Sequence, residues 1–413
     1  MQISPSALMS TIHGAVEPGY EEVRDEFQKN FLHRGEIGAA CAAYVRGRKV
    51  VDLWGGFRDL VTRAPWEENT LVIMYSVTKG MAGLAMALAH SRGLFDYEEK
   101  VATYWPEFAQ NGKQSITVRQ LLSHQAGLCA LDHRLNRNTV ADFDRLATIL
   151  ARQKPAWDPG RYHGYHGITL GWYESELLRR VDPQHRTIGQ FFWEEVARSL
   201  GLEFYIGTPA ELPATRVAAL IDYAPWRLLF HMRQLPPAFV SRVLNPFSLT
   251  HKTMRNPDLN RPGDLNLPEW RSVEVPAGNG VGQVRSVAKA YSEFATGGAA
   301  LKLRPETLTA LAEPAIPPTA GDFDQVLRTR TSYSMGFIKP FSAFAFAGHT
   351  AFAAPGLGGS MGYADPEAGM AFAYAPNHLG FYMWDDPRER ALRHAVQRCA
   401  GRLRGGGEAR ASA

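Results

Sequence analysis

The chain has 413 residues, 45% of them hydrophobic and 21% charged, with a formal net charge of +4, the balance of a globular protein able to bury a large core. No basic block marks a nucleic-acid partner, and no run of roughly 18 apolar residues marks a membrane span. Cys41, Cys129 and Cys399 are too scattered for a disulfide framework or a metal pair, and the N-terminus lacks the charged start and apolar run of a secretory signal, so a cytoplasmic setting is expected.

Residues 19–33 carry Val23, Phe27 and Phe31 at spacings of four and predict an amphipathic helix. Two strand-like runs, 37–45 and 49–54, flank Arg46-Gly47-Arg48 and predict an antiparallel hairpin. An apolar run at 71–75 leads into Ser76 and then an Ala-, Leu- and Met-rich stretch from Lys79 to His90. That stretch reads as a buried helix beginning at or just after the serine. Helical spacing recurs over 117–122, 141–153, 170–181 and 188–200. Residues 205–275 are irregular and proline-rich, with an apolar stretch at 226–235, and are expected to form an insertion or lid over a cleft. A helix over 286–296 stops at Gly297-Gly298. Strands are predicted over 333–338, 343–347, 360–364 and 369–375, and a last helix over 387–403. This order predicts an α/β (α+β) protein. One lobe is made from residues 1–110 and 276–404, an all-α lobe and lid from 111–275 is inserted, and 405–413 forms a flexible tail.

Serine is a weak nucleophile without an adjacent base. In Ser76-Val77-Thr78-Lys79 the spacing of three puts hydroxyl and amine on one helix face, and the helix N-terminus turns free N–H groups toward the serine, where they can bind an oxyanion. The base must be a neutral amine, and the apolar neighbours Met74, Met81, Leu84 and Ala85 are expected to disfavour its charged form. The same spacing recurs at Ser286-Val287-Ala288-Lys289, on a surface-patterned helix where Lys289 is expected to be solvated. Gly358-Gly359-Ser360-Met361-Gly362 matches the G-x-S-x-G elbow, but a strand pattern follows it instead of the required helix. His163 and His166 lack a third ligand for zinc, and Gly278-Asn279-Gly280-Val281-Gly282 lacks the βαβ unit of a dinucleotide loop. His124 is expected to bond backbone at a turn.

Further segments resemble one family. Val50-Val51-Asp52-Leu53-Trp54-Gly55-Gly56 is similar to its early hairpin. Leu121-Leu122-Ser123-His124-Gln125-Ala126-Gly127-Leu128 is similar to its L-L-x-H-x-S-G-L segment. Trp157-Asp158-Pro159-Gly160 followed by Tyr165 is similar to its W-x-P-G…Y-S-N region. Pro355-Gly356-Leu357-Gly358-Gly359-Ser360, running into Tyr363-Ala364-Asp365-Pro366, is similar to its third-motif strand and turn. With Ser76-Val77-Thr78-Lys79, these resemble the class C β-lactamase-related serine hydrolases over roughly residues 13–400, with the esterase and transacylase branch of penicillin-binding-protein-like proteins nearest in look.

The resemblance implies a β-lactamase/transpeptidase-like antiparallel sheet flanked by N- and C-terminal helices. It implies Ser76 as the acylated nucleophile, Lys79 as acceptor of its proton, and Tyr165 as general base or shuttle. The backbone N–H groups of Ser76 and Leu357 would form the oxyanion hole, with Pro355, Gly356, His166 and His349 contacting substrate and no metal or cofactor. Two departures stand out. Gly167 replaces the amide of the second motif, and Ala354-Pro355-Gly356 lacks the cation of the third. A register on His349-Thr350-Ala351 restores a histidine only if 351–356 loop out. The missing cation favours neutral esters or amides over β-lactams and D-Ala-D-Ala peptides. The expected partner is therefore a small-molecule ester or amide acyl donor, with water, an alcohol or an amine as acceptor and with neither nucleic acid nor membrane. A non-catalytic binding protein, or a DD-peptidase or β-lactamase, is the alternative.

Overall fold

The computed structural model describes residues 12–222, 235, 237–257 and 262–411. Eight strands form the path of one antiparallel sheet: β1 (His13–Val16), β2 (Gly38–Val45), β3 (Arg48–Asp59), β4 (Tyr333–Ser334), β5 (Phe337–Ile338), β6 (Phe352–Pro355), β7 (Met361–Asp365) and β8 (Met370–Pro376). Their spatial order is β1-β3-β2-β8-β7-β6-β5-β4, and the pair Ala64–Pro65 adds to the side of β3. The two chain ends therefore meet in mid-sheet, where β8 pairs with β2 from Met370 opposite Val45 to Pro376 opposite Ala39.

Side-chain alternation decides what covers each face. In β8, Ala371, Ala373 and Ala375 face one core, while Met370, Phe372 and Tyr374 face another. The alanine face lets the helix Val284–Ala295 approach closely. The large side chains on the opposite face meet helix α1 (Glu21–His33) and the C-terminal helix Pro387–Ala411, which also pack on each other. Helix α2 (Val77–Ser91), buried at nearly every position, runs between the sheet lobe and the helical lobe. The lid region supplies Pro237–Leu244, Leu249–Met254, Pro262–Leu265 and Pro268–Arg271. Of the apolar stretch 226–235, only Leu235 lies among the described residues.

Several expectations are corrected. The strand β1 falls where no element was expected. Residues 333–338 are a hairpin, not one strand. Met335 (φ 52°) and Gly336 (φ 86°) both take the left-handed conformation that a two-residue turn requires, and Ser334 faces Phe337. Residues 343–347 form no strand. The Phe346 carbonyl accepts from Arg393 Nη1 (3.1 Å) and Gln397 Nε2 (2.7 Å), so side chains of the last helix take the place of a neighbouring strand. The helix expected over 188–200 contains a wider, π-helical turn over Phe192–Ala197. The last helix continues to Ala411, into the region 405–413 expected as a tail, whose residues 412 and 413 lie outside the described residues.

Candidate active site

Ser76 caps the N-terminus of α2, and the residue before it is strained. Tyr75 has φ 44°, a left-handed conformation that bulky residues rarely adopt and that costs on the order of 1–3 kcal/mol. The turn is pinned from several sides. Thr78 Oγ1 donates to the Tyr75 carbonyl and accepts from the Gly280 N–H at 2.8 Å, while the Met74 N–H donates to the Gly280 carbonyl at 3.0 Å. Ser360 Oγ donates to the Met74 carbonyl at 3.0 Å and is 4% exposed. The rival serine is thus a brace for the Ser76 turn. In the second S-x-x-K, Lys289 is exposed as expected, but Ser286 is buried and its Oγ accepts from the Glu203 N–H at 2.9 Å.

Lys79 Nζ lies 3.1 Å from Ser76 Oγ, 2.6 Å from the Gly167 carbonyl and 2.8 Å from the Ala277 carbonyl, and Lys79 is 3% exposed. The two carbonyls make its surroundings more polar than the flanking sequence implied. Tyr165 Oη donates to Ser76 Oγ at 3.0 Å, and Lys79 Nζ sits 4.9 Å from the Tyr165 ring centre. Tyr165, 89 residues away in sequence, joins the neighbouring Ser76 and Lys79 at one oxygen.

The β6 strand borders this trio, and Gly356 is required there. A Cβ at that position would stand 2.5 Å from the Met74 carbonyl and 3.3 Å from the Ser76 N. Leu357, the next residue, therefore runs beside Ser76. Its N–H and that of Ser76 take part in no backbone hydrogen bond among the described residues. Arg388 holds the turn from behind, donating from Nη2 to the Gly358 carbonyl at 3.0 Å.

A cavity of about 300 Å³ opens over Ser76, at the small end of the range for small-molecule sites. Its walls include Ile168, Phe239, Met254, Leu265, Leu327, Ile338, Phe381, Met383 and Trp384, with Tyr165, His124 and Tyr333 on one side. Among the described residues, Lys79 is the one Lys, Arg, Asp or Glu side chain that lines it. Pro355 and Gly356 line it too. His166 and His349 do not, and both expectations of substrate contact are corrected. His166 is fully buried, with Nδ1 donating to the Gly164 carbonyl (2.7 Å) and Nε2 accepting from the Leu128 N–H (3.0 Å). Burial pushes it down to about 4. His349 is solvent-exposed, 3.5 Å from Glu367, because 352–355 are strand and do not loop out.

His124 takes a left-handed conformation (φ 60°) and accepts from the His166 N–H at Nδ1, as its place at a turn implied. That bond puts the remaining proton on Nε2. Burial, with His166 and Lys79 nearby, holds the ring well below its ordinary 6.5. The Gly167 position is also explained. A Cβ there would sit 3.0 Å from the Thr253 methyl, a contact tighter than nearly all real side chains make. Tyr75, Ala277, Tyr333 and Asp324 were not singled out from the sequence. Only Gly278-Asn279-Gly280 hinted at the segment that brings the Ala277 carbonyl to Lys79. Among the described residues no cluster of His, Cys, Asp and Glu is fit to hold a metal, and no helix is long and apolar enough to cross a membrane.

The sheet, its terminal helices and the inserted helical lobe define a β-lactamase/transpeptidase-like fold. The family model described as Beta-lactamase matches residues 23–397, and the chain belongs to that family. A crystal structure of a family VIII carboxylesterase superposes with a TM-score of 0.83 and 35% identity, covering 94% of this chain and 99% of that one. A penicillin-binding protein homolog from Caulobacter crescentus gives 0.81 and 32%, with coverage of 94% and 99%. The esterase/beta-lactamase LipL of Mycobacterium tuberculosis is 33% identical over 294 residues, 70% of this chain. The chain spans 65% of LipL's own length.

Proposed function

We propose that the protein is a serine hydrolase or acyl-transfer enzyme that cleaves small, neutral esters of apolar acids through an acyl-Ser76 intermediate. The observation that carries this reading is the convergence of Lys79 Nζ (3.1 Å) and Tyr165 Oη (3.0 Å) on Ser76 Oγ. In neutral Lys79 the two N–H groups serve the Gly167 and Ala277 carbonyls, which leaves the nitrogen lone pair directed at the serine hydroxyl. Ser76 Oγ attacks the ester carbonyl as its proton passes to Lys79. The carbonyl oxygen, now negative, lies against the N–H groups of Ser76 and Leu357. Tyr165, hydrogen-bonded to Oγ and with its ring centre 4.9 Å from the amine, relays the proton to the leaving alkoxide, and the acyl-serine forms. Water entering along the same path reverses these steps and frees the acid.

The described walls of the cavity are nearly uncharged, which supports esters whose acyl group is apolar, and among the described residues no free cation waits for a substrate carboxylate. The carboxylesterase likeness points the same way. An apolar cleft also favours an alcohol over water as acceptor, so transacylation belongs to this reading.

A series of p-nitrophenyl esters of increasing chain length tests it. A burst of nitrophenol is expected, abolished in Ser76→Ala, with turnover falling once the chain outgrows the cavity. Added alcohols are expected to divert acyl groups to new esters. Fluorophosphonate labelling of Ser360 or Ser286 with Ser76 untouched would sink the assignment, and silence at every chain length would favour a non-catalytic binder.

A further inference from the structure

Tyr165 and His166 present consecutive backbone N–H groups to two buried side chains. His124 Nδ1 takes the second. Asp324 takes the first, with Oδ2 at 3.0 Å and Oδ1 at 3.3 Å from the Tyr165 N. Asp324 is fully buried, and no Lys or Arg pairs with it among the described residues. Its charge is met by dipoles instead. The N–H groups of Val326 and Leu327 donate to Oδ1, both at 2.7 Å, and the hydroxyls of Tyr333 (2.9 Å) and Thr331 (3.3 Å) donate to Oδ2. A buried carboxylate held this way costs several kcal/mol of desolvation unless every lone pair is used, so the arrangement tolerates little displacement. The Tyr333 ring bound to it lies 6.2 Å from the Tyr165 ring at 21°, and both rings line the cavity.

We infer that Asp324 is a positioning residue for Tyr165, fixing its main chain directly and its ring through Tyr333 so that the phenol stays in contact with Ser76. The inference rests on the acyl-Ser76 reading. Asp324 touches neither Ser76 nor the cavity. It acts on the proton relay by limiting where Tyr165 can stand. This need is sharpened by Gly167, which leaves the second motif without a side chain of its own to lock it. Other titratable groups surround the carboxylate. His163 faces it with Nε2 3.1 Å from the Thr331 hydroxyl, held below its ordinary value by burial. Cys129 is pushed up to about 12 by burial, with Asp324 adding to the effect. Asp322, on the same loop, is paired with Arg330. A negative charge at this place favours protonated neighbours.

The test is Asp324→Asn, which keeps an oxygen for the backbone N–H groups and removes the charge. Acyl-enzyme formation on p-nitrophenyl butyrate, normalised to Ser76 active-site titre, is expected to slow by about 10²-fold, the cost of a small misplacement of a catalytic group. KM is expected to change little, and the acid limb of kcat/KM to move to lower pH. Tyr333→Phe, which keeps the ring but not the hydroxyl, is expected to slow acylation several-fold with the melting temperature nearly unchanged. If Asp324→Asn melts earlier yet acylates at the normal rate per titrated site with an unshifted pH profile, Asp324 is merely structural and the inference fails alone. If the unmutated enzyme gives no burst at Ser76, the acyl-serine reading fails and takes the inference with it.

Discussion

Glu174, on the helix Thr169–Val181, is fully buried, and neither carboxyl oxygen has a hydrogen-bond partner. Oε1 points at the Gly336 turn, 3.0 Å from where a Cβ of that residue would stand. Burial pushes the acid from its ordinary 4.5 to about 8, with Lys79 opposing the shift. The sign follows. Between pH 4.5 and about 8 the unfolded chain has lost this proton and the folded protein keeps it. Stability is therefore fully present below pH 4.5 and is lost as pH rises toward 8. At about 1.4 kcal/mol per pH unit, the loss is on the order of 5 kcal/mol when complete. With roughly 2.1 cal/mol/K of unfolding entropy per residue, that is about 6 °C in melting temperature for a chain of 413 residues. Glu174→Gln cannot ionise, so its melting temperature relative to the parent is expected to rise by several degrees between pH 5 and pH 9. Taking the difference cancels the other buried acids. Glu274 and Glu389, both pushed up to about 7 by burial, add slopes of the same sign to each protein. Scanning fluorimetry of the two proteins across that range is the measurement. A difference that stays flat with pH would mean that Glu174 ionises in the folded state at its ordinary pH, and the reasoning would be refuted.

Gly80→Ala is expected to destabilise by roughly 1–3 kcal/mol, because its Cβ would stand 2.0 Å from Tyr291 Oη and 3.0 Å from the Ala354 Cβ. Tyr291 Oη is buried without a partner, so Tyr291→Phe alone is expected to be neutral or stabilising and the double variant to recover most of the loss in urea denaturation. Arg388→Met removes the donor to the Gly358 carbonyl and leaves Glu36 and Asp386 buried without their cation. A loss of about 3–5 kcal/mol is expected, together with weaker binding of a boronate that mimics the tetrahedral intermediate. Unchanged boronate affinity would show that the turn at 357–359 holds its shape unaided.

The parts legible in the sequence are those fixed by local spacing. Ser76 and Lys79 are three residues apart on a helix, so periodicity alone places them together. Alternation in 369–375 likewise foretells which side chains of β8 face each layer. Where the partner is distant, spacing is silent. The strain at Tyr75 is held by Thr78, Gly280 and Ser360, and no local signal in the apolar run 71–75 announces it. Asp324 lies 159 residues from the tyrosine it holds and sits in a turn that reads as ordinary loop. The run 343–347 has the composition of a strand, yet the Arg393 and Gln397 side chains satisfy its backbone from a helix, which no pairing pattern reveals.

The two departures in the motifs were visible in the sequence, but their meaning comes from what fills the vacated space. At 167 the Thr253 methyl stands 3.0 Å from where a Cβ would project, so a larger side chain there would crowd the 249–254 helix. At 354 the strand continues with a small apolar residue packed beside Gly80, and the nearest candidate for a replacement cation, His349, is turned outward to Glu367. Both changes act in one direction. They remove groups that would bind a charged or strongly polar substrate, and among the described residues they leave Lys79, already engaged by two carbonyls and the serine, as the one Lys, Arg, Asp or Glu on the cavity wall. A substrate carboxylate entering this cleft would lose its hydration without gaining a partner, a cost of several kcal/mol that a neutral ester avoids. On the proposed acyl-Ser76 reading, selection against charge follows from these described walls, while Ser76, Lys79 and Tyr165 still meet at one oxygen.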